Sequence, residues 1–130
     1  RKRLAEFWRA ASAGGDLPTV GPETPMREVI AEITRGRMGI TCVLRADGAL
    51  AGVVTDGDIR RALAANTDVL ALRAADIMSR APVTVAPHVL AAEALHLLEG
   101  RKITAVVVID DAGRAMGVVH LHDLWRTGLV

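Results

Sequence analysis

Two segments of this chain are nearly copies of each other. Residues 52–63 read GVVTDGDIRRAL, and residues 117–128 read GVVHLHDLWRTG. A shift of 65 positions aligns residues 19–63 with residues 84–128 without a gap. Two copies are too few for an open solenoid, which buries its core by stacking many repeats. The repeat therefore predicts two similar units that form a closed pair with pseudo-twofold symmetry.

The identities between the copies include polar, glycine and proline positions, so shared hydrophobicity alone does not explain them. They include Thr19/Thr84, Val20/Val85, Pro22/Pro87, Glu28/Glu93, Val43/Val108, Gly48/Gly113, Gly52/Gly117, Asp58/Asp123 and Arg61/Arg126. A match of this kind predicts the same order of helices and strands in both copies.

Each copy has the pattern of a β-α-β-β-α unit. A short extended segment precedes a helical pattern whose apolar residues share one face. These residues are Met26, Val29, Ile30 and Ile33 in the first copy, and Ala91, Ala94, Leu95 and Leu98 in the second. The runs ITCVL and AVVVI predict buried strands, and a glycine turn, a second strand and a second helix follow each run. The predicted fold class is α/β (α+β), with two such repeats packed as a pseudo-twofold pair.

The same pattern predicts four segments along the chain. Residues 1–16 are predicted to form an amphipathic helix that ends at Gly14-Gly15 and leads in from a preceding domain. The first repeat is assigned to residues 17–64, the linker to residues 65–78 and the second repeat to residues 79–130. Residues 71–78 of the linker, ALRAADIM, are predicted to form a short helical turn.

Composition excludes several classes of partner. The net charge is +1 and only Phe7, Trp8 and Trp125 are aromatic, so neither a polyanion-binding surface nor a base-stacking platform for nucleic acid is indicated. No apolar run is long enough to span a membrane. The single cysteine, Cys42, cannot form an internal disulfide, and we expect an inert buried thiol in a cytoplasmic protein.

One polar pair lies where a strand is predicted to end and a helix to begin. Thr55 closes the strand GVVT, and Asp58 lies in the first turn of the next helix. A carboxylate at this position can accept hydrogen bonds from a ribose diol, while the hydroxyl and nearby N–H groups suit a phosphate. The alternative is that Thr55 or Asp56 only caps the helix. The repetition of the aspartate as Asp123 keeps both interpretations open.

The repeated unit with G-V-V-[T/H]-x-x-D, joined by a linker that contains DIM and PVTV, resembles a pair of CBS domains over residues 17–129. TDGDIRR and HLHDLWRTG further resemble the regulatory region of bacterial D-arabinose 5-phosphate isomerases. In that family a sugar isomerase (SIS) domain precedes the CBS pair. The resemblance implies a parent enzyme that interconverts ribulose 5-phosphate and arabinose 5-phosphate for Kdo and lipopolysaccharide synthesis. It also implies a homo-oligomer, with CBS pairs that dimerise in a tetrameric parent.

The resemblance also implies two ligand sites, each built from both repeats. The first would contain Thr55, Asp58, Ser79, Thr84, Ile103 and Thr104, and the second His120, Asp123, Thr19, Gly39 and Ile40. The expected ligand is a nucleotide or sugar nucleotide, CMP-Kdo in particular, with AMP or ATP as alternatives, and no cofactor is required. Two departures are visible, because the DIM segment has no counterpart before the first repeat and His120 replaces the usual hydroxyl. We therefore expect unequal ligand preferences.

Two other kinds of chemistry are less well supported by the sequence. His120 and His122, with His88 or His96, have the residue types of a metal site, but their spacing brings the first two together only if the backbone turns there. We expect His120 to contact an anion or to have a structural role, and we expect no metal. No set of nucleophile, base and orienting group is indicated, so we expect no catalytic residues in this segment.

Two rival functions remain open at this point. The pair of repeats would serve as an oligomerisation module that binds no ligand, with Asp58 and Asp123 as helix caps only. Alternatively, it would belong to a different parent protein, such as a transporter or a nucleotide-synthesis enzyme.

Overall fold

A computed structural model of the protein describes residues 9–10, 17–66 and 68–125. The chain divides into two compact units, described separately below. The first unit spans Leu17–Pro82, and the second consists of strand β1 (Arg9–Ala10) and the described residues from Val83 onward. Within the described residues, none of the helices combines the length and apolarity needed to cross a membrane.

The first unit is a three-stranded sheet with helices packed against it. Its elements are β2 (Thr19–Val20), α1 (Met26–Gly36), β3 (Ile40–Leu44), β4 (Leu50–Thr55), α2 (Asp56–Ala64), a 3-10 turn (Val69–Ala71) and α3 (Ala74–Ile77). The strand order is β2-β3-β4, with β2 parallel and β4 antiparallel to the central strand. The helical turn predicted in ALRAADIM is confirmed as α3.

The second unit repeats this arrangement 65 residues later. Its elements are β5 (Thr84–Val85), α4 (Ala91–Arg101), β6 (Ala105–Ile109), β7 (Ala115–His120) and α5 (Leu121–Trp125). The sheet order is β1-β7-β6-β5. The match extends to a sheet irregularity at Val43/Leu44 that recurs at Val108/Ile109. The predicted β-α-β-β-α order and the α/β fold class are therefore confirmed.

The apolar faces predicted for the first helix of each repeat form the two cores. In the first unit Met26, Val29 and Ile33 are buried, and they pack with Val43 and Val54 of the sheet. In the second unit the smaller face of α4 is buried in the same way, through Ala91, Ala94, Leu95 and Leu98. Because each unit has its own cluster of buried side chains, the elements of each unit are held by a local core.

The segment assigned to a linker forms part of the first unit. Val69 is 6% exposed and Ala74 is fully buried against the same core as α1. The N–H of Ala74 donates to the carbonyl of Thr24 at 2.9 Å, and the N–H of Met26 donates to the carbonyl of Leu72 at 3.0 Å. These bonds fix the path of the chain toward Ser79.

The helix predicted for residues 1–16 is wrong at Arg9–Ala10, which form strand β1. Arg9 pairs with Val118 and Ala10 with Gly117 in an antiparallel arrangement. The free edge of β7 offers unpaired backbone groups, and pairing with them outweighs the helical tendency of the local sequence. The rest of the predicted helix, residues 1–8 and 11–16, lies outside the described residues.

Cys42 is fully buried in β3, and burial raises the pKa of its thiol from 9.0 to about 12. The protonated thiol is therefore favoured in the folded state. The stability that this group contributes is present below pH 9.0 and is lost as the pH rises toward 12.

We predict that native Cys42 resists thiol reagents at pH 8. Its thiolate fraction is lower than in the unfolded chain by on the order of a thousandfold, and the buried sulfur is inaccessible. The measurement is the rate of labelling with a chromogenic disulfide before and after denaturation. An Ala64→Cys variant, with its cysteine exposed on α2, is the positive control. Rapid native labelling at both positions would contradict the prediction.

Candidate functional site

In the first unit β4 runs directly into α2, and Thr55 caps the helix. The N–H of Asp58 donates to Thr55 Oγ1 at 3.1 Å, and the N–H of Thr55 donates to Asp58 Oδ2 at 2.9 Å. This is a reciprocal capping box, which satisfies two backbone donors that the helix start would otherwise leave unpaired. Thr55 is therefore the cap, and the alternative in which Asp56 caps the helix is wrong.

The Asp58 carboxylate has further partners. Its Oδ2 also accepts a hydrogen bond from the Thr55 hydroxyl at 3.0 Å, and its Oδ1 accepts one from Arg61 Nη2. A carboxylate offers about four acceptor positions, so three are used. The Asp58 side chain is 12% exposed and that of Arg61 is 73% exposed. Asp58 could therefore accept both hydroxyls of a diol only if Arg61, whose side chain is exposed, moved away from Oδ1.

Ser79 lies beside this strand–helix junction, although it is distant in sequence. Its N–H donates to the carbonyl of Val53 at 2.8 Å, and its carbonyl accepts from the N–H of Val53 at 3.0 Å. The structure thus brings Ser79 next to β4, two residues before Thr55. The close approach requires Gly52, because a side chain there would collide with the Ser79 carbonyl oxygen.

The second unit has a counterpart of Ser79 that the sequence analysis missed. Arg9 pairs with Val118, which corresponds to Val53 in the repeat. The two pairing segments are 70 residues apart (79 − 9), not 65, so the gap-free alignment does not relate them. The segment that seemed to be missing before the first repeat is therefore β1.

The junction of β7 and α5 carries a histidine stack. The N–H of His122 donates to His120 Nδ1 at 3.1 Å, and the two rings stack with centroids 5.0 Å apart and an interplanar angle of 11°. Trp125 contacts His122 edge-on at 5.3 Å. The other predicted residue, Asp123, has its Oδ2 buried at the same junction. Among the residues that the structure describes, no three His, Cys, Asp or Glu side chains converge as metal ligands.

The turns that precede β3 and β6 support the two junctions. The N–H of Asp56 donates to the carbonyl of Gly39 at 3.0 Å, and the N–H of Leu121 donates to that of Thr104 at 2.7 Å. Gly39 and Thr104 are thus equivalent. Ile40 pairs with Thr55 as Ala105 pairs with His120.

The predicted sets around these turns were therefore offset by one residue. By the same 65-residue relation, the counterpart of Ile103 is Met38 and that of Ile40 is Ala105. The sequence analysis named neither Met38 nor Ala105. Applying the 65-residue alignment to the turns would have paired both positions with the predicted residues.

Thr19 and Thr84 lie farther from the junctions within their units. Thr19 is on β2, two strands from β4, and its N–H donates to Glu32 Oε2 at 3.0 Å. The pKa of Glu32 is lowered, chiefly by the hydrogen bond from Arg35 and also by the one from this N–H, although burial acts in the opposite direction. Thr84 is on β5 and pairs with Val107. Neither threonine shares a strand–helix junction with the other candidates of its unit.

A family model for the CBS domain matches residues 14–65 and 74–124. The chain belongs to the CBS domain family. The CBS resemblance predicted from the repeated motif is thus confirmed.

Two further comparisons place this CBS pair among known proteins. It is 38% identical over 130 residues to arabinose 5-phosphate isomerase KdsD of Yersinia pestis, covering all of this chain and 39% of that protein. The chain thus spans about two fifths of the curated relatives it matches.

Solved CBS structures share the fold. CBSX2 in complex with AMP has a TM-score of 0.81 at 19% identity, covering 99% of this chain and 97% of that one. PAE2072 of Pyrobaculum aerophilum, complexed with AMP, has a TM-score of 0.79 at 26% identity, covering 93% and 88%.

We predict that Gly52→Ala destabilises the first CBS repeat. The added methyl group meets the Ser79 carbonyl and, at 3.1 Å, Met78 Sδ, so the backbone pairing with Val53 must shift. The expected loss in the free energy of unfolding is about 1–3 kcal/mol, measured by urea denaturation.

Gly100→Ala is the matched control, because nothing lies within 4 Å of the added methyl group on α4. It should raise stability by about 0.5–1 kcal/mol through the helix preference of alanine. A Gly52→Ala variant as stable as the unmodified protein would show that Ser79 is not held closely to β4.

Proposed function

We propose that this CBS pair is the regulatory module of a D-arabinose 5-phosphate isomerase and binds a nucleotide or sugar nucleotide such as CMP-Kdo or AMP, with ATP as a further candidate. The identity to KdsD extends over the whole chain, and the matched part of that protein is its C-terminal region. The parent would carry an N-terminal SIS domain that interconverts ribulose 5-phosphate and arabinose 5-phosphate.

The observation that supports ligand binding most directly is the chemistry of the Thr55–Asp58 junction. A mostly buried carboxylate and a hydroxyl lie together at the start of a nine-residue helix. A ribose diol would donate to the carboxylate, and a phosphate would be attracted by the positive end of the helix dipole at the first turn of α2. The PAE2072 neighbour is a complex with AMP, which favours a ligand of this class.

Asp58 can gain a diol at little cost to the fold. The reciprocal bonds to Thr55 use Oδ2, so the helix cap is kept while Oδ1 exchanges Arg61 for a ribose hydroxyl. An ion pair with so exposed an arginine is worth about 0–1 kcal/mol. The hydrogen bond from this hydroxyl, and one from the second hydroxyl at the acceptor position that is still open, compensate for this loss.

Regulation follows from unequal binding to two arrangements of the parent enzyme. A ligand shifts such an equilibrium only by its difference in affinity for the two forms. In the proposed parent, a homo-oligomer, CMP-Kdo as the activated end product would adjust isomerase activity to demand. Kinetic measurements on the parent enzyme, with and without the ligand, would show whether the ligand raises or lowers isomerase activity.

The test separates the ribose contact from the helix cap by comparing Asp58→Glu with Asp58→Ala. Glutamate is the usual partner in a capping box, so Asp58→Glu keeps the cap but moves the carboxylate by one methylene group. We expect Asp58→Glu to retain most of the stability while losing about tenfold or more in nucleotide affinity, equivalent to about 1.4 kcal/mol. Asp58→Ala should lose affinity and about 1 kcal/mol of stability.

The measurement is isothermal titration of each folded variant with CMP-Kdo, CMP, AMP and ATP, together with thermal unfolding. Asp111→Ala, which removes an exposed carboxylate in the turn before β7, is the control and should change neither quantity. If Asp58→Glu binds as well as the unmodified protein, Asp58 does not contact the ribose.

One observation favours a second candidate function, an oligomerisation module that binds no ligand. Both Asp58 oxygens already have partners, so the helix cap alone explains the residue. Absence of binding for all four nucleotides, together with a tight dimer by analytical ultracentrifugation, would favour this function over the first.

A further inference from the structure

Gly57 leaves a gap between three polar groups of the first CBS repeat. A Cβ atom placed on it would lie 3.3 Å from Arg61 Nη1, 3.6 Å from Thr55 Oγ1 and 3.8 Å from Arg60 Nη2. Two guanidinium groups and a hydroxyl thus lie close to the backbone of Gly57, where no side chain separates them. Any side chain at this position would stand among them.

The second repeat shows what a side chain does at this position. The counterpart of Gly57 is His122, whose ring stacks on His120, the counterpart of Thr55. The counterpart of Arg60 is Trp125, which contacts the outer histidine edge-on. A stack of aromatic rings therefore occupies the place where the first repeat has a hydroxyl flanked by two cations.

We propose that Gly57 and His122 decide which repeat accepts the phosphate of the ligand, so that the nucleotide phosphate is bound over Gly57 in the first repeat and excluded by the His122 ring in the second. This inference rests on the proposed function. Arginine recognises phosphate through paired N–H groups, and charge-assisted bonds of this kind are the stronger ones. A histidine ring at position 57 would cover Thr55 and separate the two arginines.

The Asp58 exchange described above increases the charge available to the phosphate. When a ribose hydroxyl replaces Arg61 at Asp58 Oδ1, the guanidinium is released beside Gly57, where its Nη1 already lies. Arg60 provides a second cation from the adjacent position. Sugar and phosphate recognition are thus linked through one arginine, and both need residue 57 to be without a side chain.

The experiment titrates AMP and adenosine into the full 130-residue chain and into three variants. Gly57→His copies the second repeat, and we expect it to weaken AMP binding by about tenfold or more because a charge-assisted contact is lost. Adenosine, which has no phosphate, should bind the unmodified protein more weakly than AMP and lose less on substitution. Gly57 does not have a positive φ, and the nearest atom to an added Cβ is the end of the exposed Arg61 side chain, which can move, so the variant should fold.

Asp111→Ala, which removes an exposed carboxylate in the turn before β7, is the control and should leave the AMP affinity within about twofold. His122→Gly should not weaken AMP binding, and by removing the excluding ring it should allow a second AMP to bind per chain. Equal AMP affinity in Gly57→His and the unmodified protein would overturn the inference, and so would a tenfold loss in His122→Gly. If the unmodified protein binds none of the nucleotides, the proposed function itself fails, and that outcome differs from either of these.

Discussion

The reciprocal hydrogen bonds between Thr55 and Asp58 are the interaction on which the first repeat depends. They fix the point where β4 ends and α2 begins, and they hold a carboxylate that is mostly buried. The same atoms would be used to recognise a ribose. Under the proposed function a helix cap and a ligand site share one aspartate, so removing its side chain would change both stability and binding.

The two repeats have nearly the same backbone and different chemistry. The sheet irregularity recurs, and the left-handed residue that follows the first helix recurs as Arg37 and Lys102, with φ of 57° and 56°. The junctions differ instead in side chains, with Thr55 and Gly57 on one side and His120 and His122 on the other. The two junctions therefore differ locally, in the side chains carried by a backbone path that both repeats share.

Sequence reasoning predicted the features that leave a periodic or repeated signal. The helix faces of α1 and α4 and the buried runs of β3 and β6 follow from apolar spacing, and the junction residues follow from the repeat itself. It did not predict β1, and only the resemblance to CBS pairs, not the residue pattern, placed Ser79 with Thr55 and Asp58. A two-residue strand has no periodicity, and its pairing depends on backbone groups that every residue has. The capping box was visible as an alternative, but only the hydrogen bonds decide that Thr55 is the cap.

The pairings of Ser79 and Arg9 place a further chain segment beside each strand–helix junction. Ser79 precedes the second repeat in the chain but pairs with Val53 of the first, while Arg9 precedes the first repeat but pairs with Val118 of the second. Ser79 thus pairs beside the β4–α2 junction, and Arg9 pairs beside the β7–α5 junction. Since Val53 and Val118 lie two residues before Thr55 and His120, a displacement of either segment acts directly on a junction.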